Sequence, residues 1–102
     1  MSEPLVLALV CDAVVGAELA AGFEEEGVPV TVAIARGAPL ILAREAAKTA
    51  ALGIGIGADG ARLVLVLAAS PAAPYLEADA GRARLFGSNA ARIAAHRPLA
   101  LG

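Results

Sequence analysis

Alternating glycines near the middle of the sequence are the feature that most restricts the fold. Residues 52–58 alternate glycine with larger residues at the period of a β-strand, so one face of the predicted strand carries almost no side chains. Asp59 and Gly60 follow as a strong hairpin signal, and the apolar run at 61–68 predicts a returning strand that is buried on both faces. The bare strand face allows a helix or another backbone to approach closely.

The same glycines imitate a nucleotide-binding pattern. Residues 55–60 spell G-x-G-x-x-G, which holds a pyrophosphate only when it follows a strand and opens a helix. Here the glycines lie inside a strand and its hairpin, and another strand comes next, so we expect them to serve close packing. The sequence has no Walker A loop. A small-ligand regulatory domain that binds at this hairpin is kept as an alternative.

The rest of the sequence alternates short strands with helices. Val15, Leu19 and Phe23 recur every four residues and give the first helix its apolar face, and Gly27 ends that helix. Residues 75–84 have no clear period. The predicted elements are a strand at 5–10, a helix at 14–26, a strand at 28–34, a helix from Pro39 to about Ala51, the two hairpin strands, and a helix from Ser88 as N-cap to His96. We therefore predict a single α/β domain over residues 1–102, a mixed sheet of order βαβαββα with helices packed on it.

Composition and charge exclude several classes of protein. A net charge of −2 provides no basic patch for nucleic acid, and three aromatic residues are too few for base stacking. The apolar runs are too short to span a bilayer, and the acidic start at Met1 does not resemble a signal peptide, so no membrane is expected. The 59% of hydrophobic residues are mostly aliphatic, which predicts a thin core and some apolar surface reserved for a partner.

Cysteine and histidine offer little chemistry. The one cysteine, Cys11, excludes an internal disulfide and favours a reduced, cytoplasmic setting. Because the only histidine, His96, is far away in sequence, we expect Cys11 to be a small core thiol rather than a nucleophile. His96 lies near a predicted helix end, where a cation is favoured, and we expect it to be structural.

Three consecutive glutamates, Glu24, Glu25 and Glu26, crowd the last turn of the first predicted helix. The helix dipole is negative there and like charges repel, so a compensating cation is expected. With Phe23 in the core, a rotation of about 100° per residue turns Glu25 outward. An outward carboxylate suits Mg²⁺, Ca²⁺ or an arginine of a partner. A solvated acidic helix end is the alternative.

Small residues open the last predicted helix. Ser88, Asn89 and the two alanines after them let a facing surface come close, and Arg92 can reach a carboxylate on that surface. An ordinary capped helix explains the same residues, so both interpretations stay open.

Three segments, taken together, resemble one protein family. Residues 22–29 (GFEEEGVP) resemble a G-[IF]-E-E-E-G-[IL]-P element, residues 53–60 the glycine-alternating hairpin, and residues 87–93 (GSNAARI) a G-x-N-A-A-R-[LY] element. In this order and spacing they look like the small subunit of the diol/glycerol dehydratase reactivating factor, over about residues 5–99. The same elements occur in the medium subunit of the adenosylcobalamin-dependent dehydratases. That subunit continues well beyond the last element, whereas this sequence ends at Gly102, which favours the reactivating factor.

The resemblance implies a function. It implies a non-catalytic small subunit of an ATP-dependent, chaperone-like factor whose large subunit carries the ATPase activity. By subunit exchange with the dehydratase medium subunit, the factor releases damaged cobalamin from the B12-dependent dehydratase. The alternative is a shortened dehydratase medium subunit that helps to bind cobalamin. The expected partners are the reactivase large subunit and the dehydratase subunits, with a homodimer expected when the chain is isolated.

The resemblance also implies a site. Glu25 matches the middle glutamate of the first element, which in the family supplies a ligand to a divalent metal, Mg²⁺ or Ca²⁺, at the interface with the large subunit. Glu24, Glu26, Asn89 and Arg92 are expected to belong to the same interface. No catalytic or cofactor-binding residue is expected in this chain alone. Residues 67–71 and 94–97 depart from the usual family pattern, so the sequence does not identify the particular dehydratase.

Overall fold

The computed structural model describes residues 3–99, which form five strands, three α-helices and one 3-10 turn. In chain order these are β1 (Val6–Val10), α1 (Ala13–Glu25), β2 (Thr31–Ile34), α2 (Pro39–Thr49), β3 (Ile54–Ala58), β4 (Arg62–Leu67), β5 (Leu76–Asp79), the 3-10 turn (Ala80–Arg82) and α3 (Ala83–Ala94). The acidic start at Met1 and the end at Gly102, both used in the sequence argument, lie outside the described residues.

The strands form one mixed sheet in the order β2-β1-β3-β4-β5. β1 is parallel to both β2 and β3, while β3, β4 and β5 form an antiparallel meander. Helices α1 and α2 make the crossovers between the parallel strands, because a parallel pair cannot be joined by a tight turn. The predicted α/β class and mixed sheet are confirmed, with one strand more than the sequence indicated.

The two faces of the sheet carry separate cores. Along β4, Leu63 and Leu65 belong to the larger core under α1 and α3, whereas Val64 and Val66 belong to a smaller core with Ala43 and Ala47 of α2. This alternation follows from the period of two in a strand. The predicted apolar face of the first helix is confirmed, because Val15, Leu19 and Phe23 all lie in the larger core.

Glycines bring α2 directly onto β3. A Cβ at Gly55 would overlap backbone atoms of Ala43 and Ala47, and a Cβ at Gly57 would overlap the carbonyl oxygen of Pro39. The expectation of close packing on the bare strand face is therefore confirmed. No helix follows the glycines, because the next element is β4, so the geometry that a dinucleotide loop needs is not formed.

The predicted hairpin between β3 and β4 is also confirmed. The backbone N–H of Asp59 donates to the carbonyl of Arg62 at 3.1 Å, and one Asp59 carboxylate oxygen accepts from the N–H groups of Ala61 and Arg62, each at 2.8 Å. These two bonds hold the pKa of Asp59 below its usual range. The side chain thus satisfies the N–H groups that the turn leaves open.

Two expectations about the last third of the chain are wrong. Residues 75–84 contain β5, which the sequence did not indicate: Leu76 and Ala78 pack on the larger core while Glu77 and Asp79 face the other way. The last helix begins at Ala83 rather than at Ser88, and Ser88 is only 7% exposed in its middle. No side-chain capping bond marks the true start, because the helix continues from the 3-10 turn.

The helices are short as well as amphipathic. The longest, α1, has 13 residues, whereas a bilayer requires about 20. Among residues 3–99, no helix is both long and apolar enough to cross a membrane.

Candidate functional site

The carboxyl end of α1 gathers three carboxylates at a terminus that disfavours them. Gly27 adopts a left-handed conformation with φ 70°, and its N–H donates to the carbonyl of Glu24 at 3.0 Å. The N–H of Val28 donates to the carbonyl of Phe23 at 3.2 Å, so two last-turn carbonyls are satisfied. The predicted stop at Gly27 is confirmed. The negative end of the helix dipole still requires cations near the glutamates.

Helix α3 supplies those cations, and two glycines let it approach. A Cβ at Gly22 would overlap the carbonyl oxygen of Arg84 and the N–H nitrogen of Ser88. A Cβ at Gly87 would overlap the carbonyl oxygen of Leu19. The first and last of the three sequence elements are therefore packed backbone to backbone at one helix crossing, which we call the α1–α3 seam.

Glu26 is held at this seam by three side chains of the chain's own. Ser88 Oγ donates to Oε2 of Glu26 at 2.9 Å, and Arg92 Nη2 donates to the same oxygen at 3.1 Å. Arg97 donates from Nη1 to Oε1 and from Nη2 to the Glu26 carbonyl, each at 3.0 Å. The Ser88 hydrogen bond, followed by the Arg92 interaction, holds the pKa of Glu26 below its usual range.

These bonds assign Glu26 a structural role. Its side chain is 13% exposed, and both carboxylate oxygens accept hydrogen bonds from within the chain. The expectation that Glu26 also touches a partner stays a prediction.

Glu25 is in a different position. Its side chain is 48% exposed, which agrees with the outward direction expected from the helical rotation. Arg84 of α3 donates to its Oε2 from Nη2 at 2.9 Å and from Nε at 3.2 Å. The hydrogen bond to Glu25 raises the pKa of Arg84. Glu24 is exposed beside it.

The carboxylates do not form a complete metal site by themselves. Within residues 3–99, no group of three or more acidic, histidine or cysteine side chains is close enough to hold a metal ion. Oxygen donors of this kind do suit a hard divalent cation, and the Arg84 guanidinium already occupies a cation position beside Glu25. The described residues therefore offer an exposed carboxylate at Glu25 but no complete set of ligands for a metal ion.

The other predicted interface residues divide in the same way. Arg92 donates to Glu26 and also, from Nη1, to the carbonyl of Pro98 at 3.2 Å. It therefore links α3 both to the end of α1 and to the segment that follows α3. Its Nε is buried without a hydrogen-bond partner. Asn89 is half-buried on α3, beside a 150 Å³ cleft that Leu76 and Phe86 also line. The expectation that Asn89 belongs to an interface stays a prediction.

Cys11 and His96 make none of the ion pairs described above for the seam among residues 3–99. The Cys11 thiol is 3.5 Å from Oδ2 of Asp12, and burial together with this neighbour raises its pKa, which keeps it in the thiol form. His96 takes a left-handed conformation with φ 57° directly after α3, a position where glycine is usual. The expectations that Cys11 is a small core thiol and that His96 is structural stay predictions.

Sequence reasoning missed three contributors: Arg84, the buried role of Ser88, and Arg97. A signal was present, because Arg84, Ser88 and Arg92 recur every four residues and so share one face of a helix. It was hidden by the expectation that the helix begins only at Ser88. Arg97 follows the helix and has no periodic signal.

The fold and the site define a class of protein. This is an α/β domain with helices on both faces of a mixed sheet, and a group of ion-paired glutamates and arginines lies where α1 and α3 pack together. The chain belongs to the dehydratase medium subunit family, which residues 5–100 match. No curated protein sequence gives a significant match.

Two solved structures are similar over the whole chain. A chain of the diol dehydratase-reactivating factor complexed with ADP and Mg²⁺ is 27% identical with a TM-score of 0.83, covering 99% of this chain and 100% of the other. A glycerol dehydratase reactivase chain, at 24% identity and a TM-score of 0.82 over 98% of both chains, supports the fold. The resemblance to the reactivating factor that three sequence elements indicated is confirmed.

Proposed function

We propose that this chain is the non-catalytic small subunit of a chaperone-like reactivating factor for a B12-dependent diol or glycerol dehydratase. The observation that carries the proposal is the similarity, at matching length, to a chain of the diol dehydratase-reactivating factor. In this proposal a separate large subunit binds and hydrolyses ATP in the cytoplasm. The small subunit is displaced when the factor takes hold of the dehydratase, and damaged cobalamin then leaves.

The α1–α3 seam supports a docking role. Glu25 and Glu24 are exposed at its edge, while Glu26 is committed to holding the two helices together. We propose that Glu25 contributes one oxygen ligand to Mg²⁺ or Ca²⁺ shared with the large subunit. Such ions prefer six or more oxygen ligands, so an exposed carboxylate in an incomplete set suits a bridge between two chains.

The test uses purified subunits. The chain is titrated with the reactivase large subunit in Mg²⁺ and again in chelator, and the dissociation constants are measured by calorimetry. We expect tighter docking in Mg²⁺, and expect Glu25→Gln to lose that difference while the matched control Glu24→Gln keeps most of it. Docking that is absent in both conditions would contradict the proposal.

The family match favours one alternative, a dehydratase medium subunit that helps to hold cobalamin. This alternative predicts binding to the dehydratase large subunit without the reactivase large subunit, and slower loss of cobalamin from the resulting complex. The two proposals differ in which large subunit co-elutes with the tagged chain, so one co-expression experiment with both large subunits separates them.

A further inference from the structure

The two outer strands of the described sheet differ in charge. β5 carries Glu77 and Asp79, and these carboxylates pair with Arg62 of the neighbouring strand at 3.1 and 3.2 Å. β2, Thr31–Ile34, has no charged side chain, and its Ile34 is 60% exposed. Charged residues on an outer strand discourage pairing with another chain, whereas an uncharged outer strand is open to it. β2 is therefore the edge at which this sheet is best suited to be extended.

The backbone groups on the free side of β2 belong to alternate residues. The N–H of Ala35 donates to the carbonyl of Val10 in β1 at 2.8 Å. Because successive residues of a strand direct their N–H and C=O groups to opposite sides, Ala33 also faces β1, whereas Val32 and Ile34 face away from it. Val32 and Ile34 therefore each present a donor and an acceptor at the edge of the sheet.

Such an edge is complementary to a second copy of itself. When a two-fold axis relates two copies, each contact occurs twice, because residue i of one copy meets residue j of the other and the reverse. With the axis at Ala33 and the strands antiparallel, Val32 of each copy lies opposite Ile34 of the other. Both pairs can then exchange both of their backbone hydrogen bonds.

The charges beside β2 fit the same arrangement. Glu24, at the end of α1, lines a 350 Å³ hollow together with Val30, and Arg36 follows shortly after the strand. Both charged side chains are exposed, and neither takes part in the ion pairs found among residues 3–99. The antiparallel pairing brings Arg36 of each copy opposite Val30 of the other, beside that copy's Glu24. Each copy thus supplies the opposite charge at both ends of the paired strands.

The helix above this edge is lined with small residues. Ala20 of α1 contributes to the same hollow, and Ala17, one turn earlier on that helix, is exposed. Since side chains of this size keep little volume between neighbouring helices, the α1 helices of two copies have room to lie side by side on one face of a joined sheet.

We propose that the free edge of β2 is a homodimer interface, at which two copies of this chain pair antiparallel about Ala33 and join their sheets into one. The interface uses the flank of α1 that carries Glu24, whereas Glu25 lies on the flank that packs against α3. The inference therefore stands on different residues from the docking role proposed above, and each can fail without the other.

The first test is the dimer dissociation constant of the isolated chain, measured by analytical ultracentrifugation. Ile34→Lys places a charge on the edge, and we expect it to raise this constant about tenfold or more. Val14→Lys is the matched control, because Val14 is 75% exposed on α1 but lines a hollow beside residues 80–85. A natural chain that stays monomeric at millimolar concentration, or an unchanged constant for Ile34→Lys, overturns the proposal.

A charge exchange tests the antiparallel arrangement. Arg36→Glu and Glu24→Arg each turn the attractions at both ends of the pair into repulsions, and each should weaken the dimer roughly five- to tenfold. The chain that carries both substitutions has the same pairs with their charges reversed, so it should recover most of the natural affinity. Additive weakening in that chain contradicts the arrangement.

Hydrogen exchange identifies the surface directly. The amides of Val32 and Ile34 should gain protection as the protein concentration rises, whereas the amide of Ala33, which faces β1, should be protected at every concentration. A dimer that leaves Val32 and Ile34 unprotected uses another surface and overturns the proposal. Protection that appears only after the reactivase large subunit is added overturns it too, because the edge then belongs to that partner.

Discussion

Each face of the sheet carries a helix contact that glycines make very close, but the side chains around the two contacts differ. On one face Gly55 and Gly57 let α2 touch the backbone of β3, and on the other Gly22 and Gly87 let α1 and α3 touch each other. The first contact is bordered chiefly by small apolar side chains. The second is bordered by three carboxylates of α1 and by arginines.

The difference teaches where function can be placed in such a small domain. Close backbone contact stabilises both faces, since dispersion and burial act wherever atoms meet. At the α1–α3 seam, two neighbouring ion-paired glutamates differ: Glu26 is nearly buried and holds the helices together, whereas Glu25 is exposed. One glutamate fixes the helices and its neighbour remains accessible to a partner.

The largest effect is expected from adding one methyl group at the close helix contact on each face of the sheet. Gly57→Ala and Gly87→Ala each place a Cβ inside backbone atoms that cannot move away, and we expect a loss of about 3 kcal/mol or more in the free energy of unfolding. The urea denaturation midpoint measures it. Gly81→Ala is the control, because nothing lies within 4 Å of a Cβ there. If Gly87→Ala were as stable as Gly81→Ala, the α1–α3 seam would not be tightly packed.

A smaller change separates the polar edge from the packing. Ser88→Ala removes the hydroxyl that donates to Glu26 at 2.9 Å, and we expect about 1–2 kcal/mol of lost stability because a nearly buried carboxylate loses a donor. Denaturation of Ser70→Ala, in the exposed loop after β4, gives the matched baseline. An equally small loss of stability in both variants would mean that the Ser88 hydroxyl does not stabilise the α1–α3 seam.

The pH dependence of stability sharpens the same point. The folded-state pKa of Glu26 lies below its ordinary value of 4.5, so its contribution is fully present above about pH 4.5 and is lost as the pH falls through the folded pKa. Glu26→Gln should lower the denaturation midpoint at pH 7 and bring the midpoints at pH 7 and pH 3 closer together. Glu24→Gln, which alters the exposed neighbour, is the control. A Glu26→Gln chain with the natural pH profile would contradict the assignment.

The smallest effect is expected on the α2 face. Arg44 donates from Nε to the carbonyl of Pro71 at 2.7 Å and from Nη2 to the carbonyl of Ala72 at 3.1 Å, both at the surface. Arg44→Ala should cost about 1 kcal/mol or less and should speed hydrogen exchange in the loop at 70–74. Lys48→Ala on the same helix should leave that loop unchanged. A large loss in the free energy of unfolding would instead mean that the Arg44 hydrogen bonds are a major stabilising contact of the α2 face.

Much of the fold could be predicted because local rules coincide with the tertiary structure. The alternating glycines, the Asp59 hairpin and the stop at Gly27 each follow from backbone geometry within a few residues. β5 and the start of α3 could not be predicted in this way. β5 has four residues and owes its position to pairing with β4, and α3 begins without a capping side chain.

The candidate site was predictable only in part for a related reason. The outward direction of Glu25 follows from helical rotation alone, and the need for a cation follows from the helix dipole. The cation that pairs with Glu25 is Arg84, which lies 59 positions further along the chain. The packing of α1 against α3 brings the two together. The sequence placed Glu24, Glu25 and Glu26 in one group, and only the crossing assigns them separate roles.

The arrangement at Glu26 also sets the order in which the surface is completed during synthesis. Its partners Ser88, Arg92 and Arg97 are all made about 60 or more residues after it. Until they emerge from the ribosome, the glutamates at the end of α1 have no arginine from α3 to neutralise them. A nascent chain therefore completes the charged edge of the α1–α3 seam only after α3 has been made and has folded into place.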